Sequence, residues 1–241
     1  MMRRWMVCSW CAIALALPAP ALAQDAGSPA QGQSSSQKPP QTAKPTTKKL
    51  PIGLRAVGVA QLTAMDSSAT FKTLVGSSNL PGFGGAVDVL NLFSRVFVRF
   101  GVSQDSKDGS RAIVLDDGTV HSTGVPLTLT VRTVELAAGW RQFPKKHPKF
   151  ALYVGAGIAF SELAAESPFA QPGDNDSDSG SGALVFAGFD RTIWKSLIGG
   201  LEVQYRSIKD AIGSGGISEA HGESSLGGAT IRGMIGIKLR R

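Results

Sequence analysis

The sequence lacks most of the features that identify common protein classes. Its 241 residues include only two cysteines, Cys8 and Cys11, with 7% aromatic and 18% charged residues. No segment reaches the ~18 consecutive apolar residues of a membrane-spanning helix. Cysteine clusters, strong charge blocks and long helical repeats are also missing. These absences argue against an integral α-helical protein, a zinc protein and a coiled coil.

The first residues have the three parts of a secretory signal peptide. A basic start at Arg3 and Arg4 is followed by an apolar stretch over 6–17 and by the Ala21-x-Ala23 pattern of a cleavage site. A short membrane anchor is the alternative, but it needs a longer apolar span. We predict cleavage after Ala23, so that residues 1–23 are the signal peptide. Both cysteines are then removed, and the exported protein has no disulfide.

A polar segment, residues 24–50, follows the signal peptide. It is rich in Gln, Ser, Pro, Thr and Lys and has too few apolar side chains to offset the entropy of ordering. We therefore predict a disordered linker, whose lysines are solvated rather than bound to anionic lipid or wall polymer. Without the signal peptide the chain keeps 23 basic and 18 acidic residues. Because the protein is exported, this small excess does not indicate a nucleic-acid partner.

Eight candidate strands follow in 51–241. The chain has a high glycine content, 29 residues in all, and this segment has many apolar runs bounded by turn residues. Each is about ten residues or slightly longer, enough to cross a bilayer when tilted. Short and long connections alternate, which in an up-and-down meander puts all short turns at one end. The pattern predicts an all-β, eight-stranded antiparallel up-and-down transmembrane β-barrel. The predicted strands are 52–63, 80–91, 95–103, 127–141, 150–161, 183–193, 197–208 and 227–239.

The two faces of these strands indicate which medium surrounds the barrel. In the third strand, Val98, Phe100 and Val102 share one face, while Arg95 and Arg99 share the other. A soluble barrel would turn the apolar face inward. We predict the reverse, because the opposite face is mostly small residues with isolated charges of both signs, as the narrow lumen of eight strands requires. The predicted interior polar network comprises Arg55, Asp88, Arg95, Arg99, Glu135, Asp190, Glu202 and Arg232.

Aromatic residues gather at the end of the short turns, which is typical of an interfacial girdle. This predicted periplasmic girdle comprises Phe93, Trp140, Phe143, Phe150 and Trp194. Phe100, Phe160 and Tyr205 lie toward the other end, where we predict a second girdle.

Three segments resemble the later strands of small OmpA/OmpX-type outer-membrane β-barrel proteins. They are Tyr153-Val154-Gly155-Ala156-Gly157-Ile158-Ala159-Phe160, Ala187-Gly188-Phe189-Asp190 and Leu201-Glu202-Val203-Gln204-Tyr205-Arg206. The resemblance implies a Gram-negative outer membrane, loops outside, turns in the periplasm, and inward positions for Asp190 and Glu202. The chain departs from the family by ending in Leu239-Arg240-Arg241 without a terminal aromatic residue. In the sixth strand, placing Asp190 inward also turns Leu184 and Phe186 inward unless a bulge intervenes.

No group of residues predicts a catalytic, cofactor or metal site. The acidic segment 174–180 alternates carboxylates, but Ser179 and Val185 replace the Gly and Glu that a calcium loop of the EF-hand type needs. The segment 221–224 offers His, Glu and Ser together, but neighbours in a flexible loop are poorly preorganised. His121 and His147 lie in separate connections. Asp117-Gly118 predicts a small hairpin in the second long loop.

These observations predict a non-enzymatic envelope protein in the outer membrane, embedded in lipid as a monomer. Its expected role is structural, with four long extracellular loops that contact a surface ligand. A narrow porin-like channel and a lipid-modifying enzyme are the alternatives. Eight strands leave little free cross-section, so we expect paired interior charges to plug the lumen.

Overall fold

The structure, a computed structural model, describes residues 52–115, 117–147, 149–169, 176–212 and 216–240. The predicted signal peptide and linker lie outside these residues. In the described part each strand pairs with the next and the last pairs with the first, which closes a barrel. This confirms the predicted eight-stranded antiparallel up-and-down fold. Within the same ranges, no helix has the length and apolarity needed to cross a membrane.

Eight strands and two short helices make up the described part of the fold. The two helices lie in the connections after the first strand and after the seventh strand. In chain order the elements are β1 Gly53–Met65, α1 Ser68–Val75, β2 Asn79–Leu90, β3 Val96–Val114, β4 Val120–Gln142, β5 Phe150–Glu166, β6 Asp176–Trp194, β7 Leu197–Ser207, α2 Gly216–His221 and β8 Gly228–Arg240.

The connections divide the barrel into two ends. The β2–β3, β4–β5 and β6–β7 connections are short and share one end, called here the turn end. The other four, on the opposite end, form the loop end. The β1–β2 and β7–β8 connections were predicted as long loops, which was wrong for the segments that form the helices α1 and α2. In α1, Thr70, Phe71 and Val75 are buried, so tertiary packing stabilises a helix too short to persist alone.

Four strands extend further toward the loop end than predicted. β3 and β4 remain paired up to Val114 and Val120, and β5 and β6 up to Ala165 and Asp176. The predicted ends were wrong because the apolar alternation used to find them changes sense along these strands. Two of the four predicted long loops are therefore largely hairpin.

The tip of the β3–β4 hairpin confirms the predicted Asp117-Gly118 turn. Gly118 has φ +80°, a conformation that glycine adopts without a Cβ clash. The Asp117 carboxylate accepts hydrogen bonds from the backbone N–H and the hydroxyl of Thr119, at 2.9 and 2.6 Å. Hydrogen bonds from this hydroxyl and N–H hold the pKa of Asp117 below its usual range.

The ambiguity in the sixth strand is resolved without a central bulge. Leu184, Phe186 and Asp190 all point into the barrel and are buried. Along the described pairing of β6 with β7, the register shifts only between Thr192 and Trp194, next to the turn. The interior therefore accepts large apolar side chains beside its charges.

Candidate functional site

The outer surface of the barrel carries a continuous apolar band. Val154 is 57% exposed and Ile231 61% exposed, although both lie within strands that are paired on both sides. In each described strand, the outward positions between the first and last members of the band carry no charged residue. The band comprises Leu54, Leu62, Phe83, Val87, Val98, Phe100, Val102, Val134, Leu136, Trp140, Leu152, Val154, Ile158, Phe160, Val185, Leu201, Val203, Ile231, Ile235, Ile237 and Leu239.

The interior at the same level is charged. Five arginines and five carboxylates lie there, and each is at most 3% exposed. Because the two numbers are equal, their formal charges cancel. They form the lumen network, which comprises Arg55, Arg99, Arg141, Arg206, Arg232, Asp88, Asp105, Glu135, Asp190 and Glu202.

At the turn end the network is a chain of alternating charges. The Asp190 carboxylate forms ion pairs with Arg141 and with Arg55, whose Nη1 lies 2.6 Å from Asp190 Oδ2. Arg55 also binds Asp88 Oδ2. The second oxygen of this carboxylate, Oδ1, accepts a hydrogen bond from Arg99 Nε at 2.9 Å. Five strands are joined by these contacts, because these residues lie on β1, β2, β3, β4 and β6.

The network continues through Glu202 in the middle of the lumen. Its carboxylate binds Arg99 Nη1 at 2.5 Å and Arg232 Nη1 at 3.4 Å. Arg232 also donates to both oxygens of Glu135, at 2.9 and 2.6 Å. Gln204 completes this group by donating to Glu135 at 2.7 Å. Glu202 thus links the turn-end chain to the loop-end half of the network.

Toward the loop end, Asp105 is the acceptor. Gln61 donates to it at 2.7 Å, and Arg206 Nη2 lies 3.6 Å from its carboxylate. Gln61 also accepts from Arg232 Nε at 2.8 Å, which connects this group to the rest. Arg206 reaches Thr133 on β4 with its other terminal nitrogen at 2.6 Å. The pairing limits the cost of desolvating buried charges, which is high when a partner is missing.

Three aromatic rings fill the lumen beside these charges. Phe97, Tyr153 and Phe186 lie edge-on or tilted to one another, with centroids 6.0 to 6.2 Å apart. The guanidinium carbon of Arg99 is 4.6 Å from the Phe186 centroid, close enough for a cation–π contact. Inward glycines provide the space: a Cβ at Gly155 would lie 2.3 Å from the Phe186 ring.

Little free volume remains among these side chains. A void lined by Arg99, Glu135, Glu202 and Arg232 has about 10 Å³, close to the minimum for one water molecule. Charge pairing and ring packing thus close the lumen at this level, as expected for a plugged barrel of eight strands.

Seven of the eight predicted interior residues lie in the lumen network, and Arg95 does not. It is exposed in the β2–β3 turn, where its N–H donates to the carbonyl of Phe93. The prediction was wrong because β3 begins at Val96, so the alternation that places Arg99 inward does not extend to Arg95. Arg141, Gln204 and Arg206 were not predicted, although period-two alternation places each of them on the same face of its strand as Glu135 or Glu202. Asp105 lay beyond the predicted end of its strand.

The predicted girdle residues occupy different environments. Phe93, Trp140 and Trp194 are exposed at the turn end, with exposed fractions of 79%, 47% and 67%. Phe150 is half-buried and stacks on Phe189, with centroids 5.2 Å apart. The placement of Phe143 in an exposed girdle was wrong. Its half-buried ring lies against Arg141 and Lys238, because Phe143 is two residues beyond the inward Arg141 and therefore shares its side of the chain.

The two faces exchange their polarity near the loop end. On β4, the inward side chains change from Glu135 and Thr133 to Val131, Leu129 and Leu127, which are all buried. On β5, Phe160 is the last outward member of the apolar band, and the next outward residue is the exposed Glu162. Beyond this level, β4 and β5 have apolar residues inside and polar residues outside, as in a soluble protein.

The apolar core of the barrel continues beyond this level, and its part there is called here the loop-end core. It joins strand residues with α1 and with the β7–β8 connection. Its buried members include Met65, Phe71, Val75, Leu80, Leu127, Leu129, Val131, Ile208, Ala211, Ile212 and Leu226.

A polar contact holds α1 against the β7–β8 connection. The Glu223 carboxylate accepts hydrogen bonds from the N–H groups of Ala69 and Thr70, at 3.1 and 2.8 Å. Ser67 adds a hydrogen bond to the carbonyl of Ser225 at 2.6 Å. Partial burial alone would raise the pKa of Glu223, but the N–H donors outweigh it and hold this pKa below its usual range.

The residues considered for catalysis make separate contacts. His221 Nε2 lies 3.2 Å from the Thr73 hydroxyl, Glu223 caps α1, and Ser224 donates to Asp210. His121 lies on β4 and His147 in the β4–β5 turn. Across the described ranges, no group of three or more potential metal ligands occurs. Of the acidic segment 174–180, residues 174 and 175 lie outside the described residues.

A cavity of about 1070 Å³ opens at the loop end. It lies between the extended β3–β4 hairpin, β5, β6 and the two helices. Most of its lining is apolar, and Arg111, Asp178, Thr123 and Ser218 add polar groups. Its size and composition are those of small-molecule sites in proteins.

Solved structures of similar backbone include three bacterial barrels. Ail, the attachment invasion locus protein of Yersinia pestis, crystallised with the heparin analogue sucrose octasulfate, is 12% identical with a TM-score of 0.47, over 79% of this chain and 99% of that chain. The N-terminal β-barrel domain of Pseudomonas aeruginosa OprF is 12% identical with a TM-score of 0.43, over 78% and 97%. Neisserial surface protein A is 10% identical with a TM-score of 0.44, over 79% and 97%. No family model and no curated protein matches the sequence.

Proposed function

We propose that this protein is a monomeric outer-membrane β-barrel with a closed lumen, which presents its loop end to the surroundings of the cell. The observation that carries the membrane location is the reversal of polarity along single strands. A soluble barrel has no physical reason to expose its apolar face at one level and its polar face at the next. Lipid against the apolar band and water against the loop end account for both.

The dimensions of the band support this location. Its members on β1 run from Leu54 to Leu62 and on β5 from Leu152 to Phe160. Nine residues in a tilted strand are the length that crosses the hydrocarbon core of a bilayer. Closure also leaves no strand edge unpaired, which a membrane requires.

Membrane fractionation combined with gel migration before and after heating tests the location. We expect the full-length protein in the outer-membrane fraction, with a folded form that migrates differently until it is boiled. A protein that remains monomeric and soluble without detergent would refute the proposal.

The role proposed for the loop end is interaction with a surface ligand. Ile113 and Leu115, near the tip of the β3–β4 hairpin, and Phe169 after β5 are exposed apolar side chains outside the band. The open cavity lies behind them. Apolar side chains exposed to water beside a cavity are a frequent property of binding surfaces.

Replacing 111–123 by a two-residue Asn-Gly turn tests this role, because it removes the hairpin tip while the paired residues below it remain. We expect intact membrane insertion and a loss of cell adhesion to immobilised matrix proteins. A matched variant with Lys145 and Lys146 replaced by Gln, at the turn end, is expected to adhere normally. Unchanged adhesion of the shortened variant would contradict the proposed role.

The channel alternative is tested by conductance in planar bilayers. Because the lumen network fills the barrel, we expect no stable single-channel steps from the purified protein. Single-channel conductance steps from the native wild type that disappear after heat denaturation would favour the channel instead.

A further inference from the structure

The turn end carries a concentration of exposed positive charge. Cations occur in all three short connections or beside them: one in β2–β3, three in β4–β5 and two around β6–β7. Each of their side chains is exposed to solvent. They are called here the turn-end cations and comprise Arg95, Lys145, Lys146, Lys149, Arg191 and Lys195.

Among the described residues of the three short connections, no exposed carboxylate balances these cations. In the described parts of 90–96, 141–150 and 190–198, the one acidic residue is Asp190, which is buried and bound by Arg55 and Arg141. The loop end is different, because its exposed lysines lie among exposed carboxylates. These include Asp108, Asp117, Glu162, Glu166, Asp210 and Glu219.

Two of the turn-end cations lie next to exposed aromatic side chains. Arg95 is two residues from Phe93, and Lys195 follows Trp194, with its Nζ 5.1 Å from the indole centroid. Aromatic side chains of membrane proteins concentrate at the boundary between hydrocarbon and headgroups. Cations one or two residues beyond them therefore lie at the height of the lipid phosphates.

We propose that the turn-end cations bind anionic phospholipid headgroups of the leaflet at the turn end. This inference rests on the proposed membrane location. The exposed lysines and arginines supply donors and positive charge for phosphodiester oxygens, and arginine can bind them with two parallel hydrogen bonds. Basic groups beside a bilayer attract anionic lipid over a distance set by salt screening. The barrel thereby gains a ring of preferred lipids at one end only.

Lipid selectivity of the reconstituted full chain tests the inference. The protein is inserted into phosphatidylcholine vesicles containing phosphatidylglycerol, and the association of spin-labelled forms of both lipids is compared. The test variant replaces Lys145, Lys146 and Lys149 by Gln. The matched control replaces Lys72, Lys107 and Lys209 at the loop end and changes the net charge equally. Gel migration before and after heating verifies insertion of each protein.

We expect the wild type and the control to prefer phosphatidylglycerol, and the test variant to lose roughly twofold or more of this preference. Added salt should weaken the preference of the wild type. Equal preference in the wild type and the test variant would overturn the inference. So would an equal loss in both variants, since it would reflect net charge alone.

Two further outcomes distinguish lipid binding from wall binding and from a failure of insertion. If the test variant keeps its lipid preference but loses binding to isolated cell-wall sacculi, the partner is a wall polymer and the inference is overturned. If the wild type inserts normally and shows no preference, the inference fails and the proposed membrane location stands. A wild type that does not insert into these vesicles overturns both.

Discussion

The membrane-level barrel and its loop-end extension are built from the same strands but bury opposite kinds of side chain. On β4, Glu135 and Thr133 lie inside the barrel opposite the exposed Leu136 and Val134. A few residues earlier, Leu129 lies inside and the outward Arg132 is exposed. The backbone pairing with β3 and β5 continues through both levels.

This difference shows that the medium outside, and not the barrel fold, decides which face is apolar. In lipid an outward apolar side chain needs no protein partner, so the narrow interior is free to hold polar groups. Those groups then need partners of opposite charge, which the lumen network provides. In water the apolar side chains must cover one another, and α1 with the β7–β8 connection supplies the missing cover over the loop-end core.

The largest expected effect comes from removing a charge at the centre of the lumen network. In Glu202→Ala, Arg99 and Arg232 each lose a buried partner. We expect a loss of about 3 to 5 kcal/mol in the free energy of unfolding. Urea unfolding in lipid vesicles measures it, with Glu166→Ala, an exposed change in the loop-end extension, as control. Equal midpoints for both variants would show that the network does not stabilise the barrel.

The loop-end core is expected to respond like the core of a soluble protein. Leu129→Ala removes a buried side chain and leaves a cavity, which costs about 2 to 5 kcal/mol. The control, Leu201→Ala, changes a residue of the apolar band, where lipid tails can fill the space. We therefore expect a smaller loss of unfolding free energy for Leu201→Ala. A larger loss there than for Leu129→Ala would contradict the assignment of the two media.

Adding a charge to the outer surface tests the boundary between the two regions. Val203 lies in the apolar band, and an arginine at that position would enter hydrocarbon at a cost of about 2 to 4 kcal/mol. Ser177 is exposed on β6 at the loop end, where Ser177→Arg should change the unfolding free energy little. The pair is compared by urea unfolding in vesicles. Similar costs at the two positions would mean that the band does not face lipid.

Sequence alone identified the eight strands, the barrel and most of the lumen network, because period-two alternation is a local property. It did not identify the reversal of polarity. The apolar face of β5 ends at Phe160, so the strand was predicted to end at Ser161, although it continues to Glu166. Asp105 was missed for the same reason on β3. The positions of Phe97, Tyr153 and Phe186 depend on glycines of neighbouring strands, and such contacts across the lumen leave no pattern within one strand.

The smallest expected effect concerns the contact that holds α1 in the loop-end extension. Glu223→Gln weakens the cap on the helix, which typically stabilises by about 0.5 to 2 kcal/mol.

Because the pKa of Glu223 is lowered in the folded protein, its contribution is complete above the usual glutamate value and is lost as the pH falls through the folded-state pKa. We therefore expect amide hydrogen exchange in Ser68–Val75 of the wild type to accelerate as the pH falls below the usual pKa of glutamate, after correction for intrinsic exchange. This acceleration should be absent in Glu223→Gln and retained in the exposed control Glu219→Gln, while protection of the membrane-level strands stays constant. If those strands also lost protection with Glu223→Gln, the two regions would form one cooperative unit despite their opposite cores.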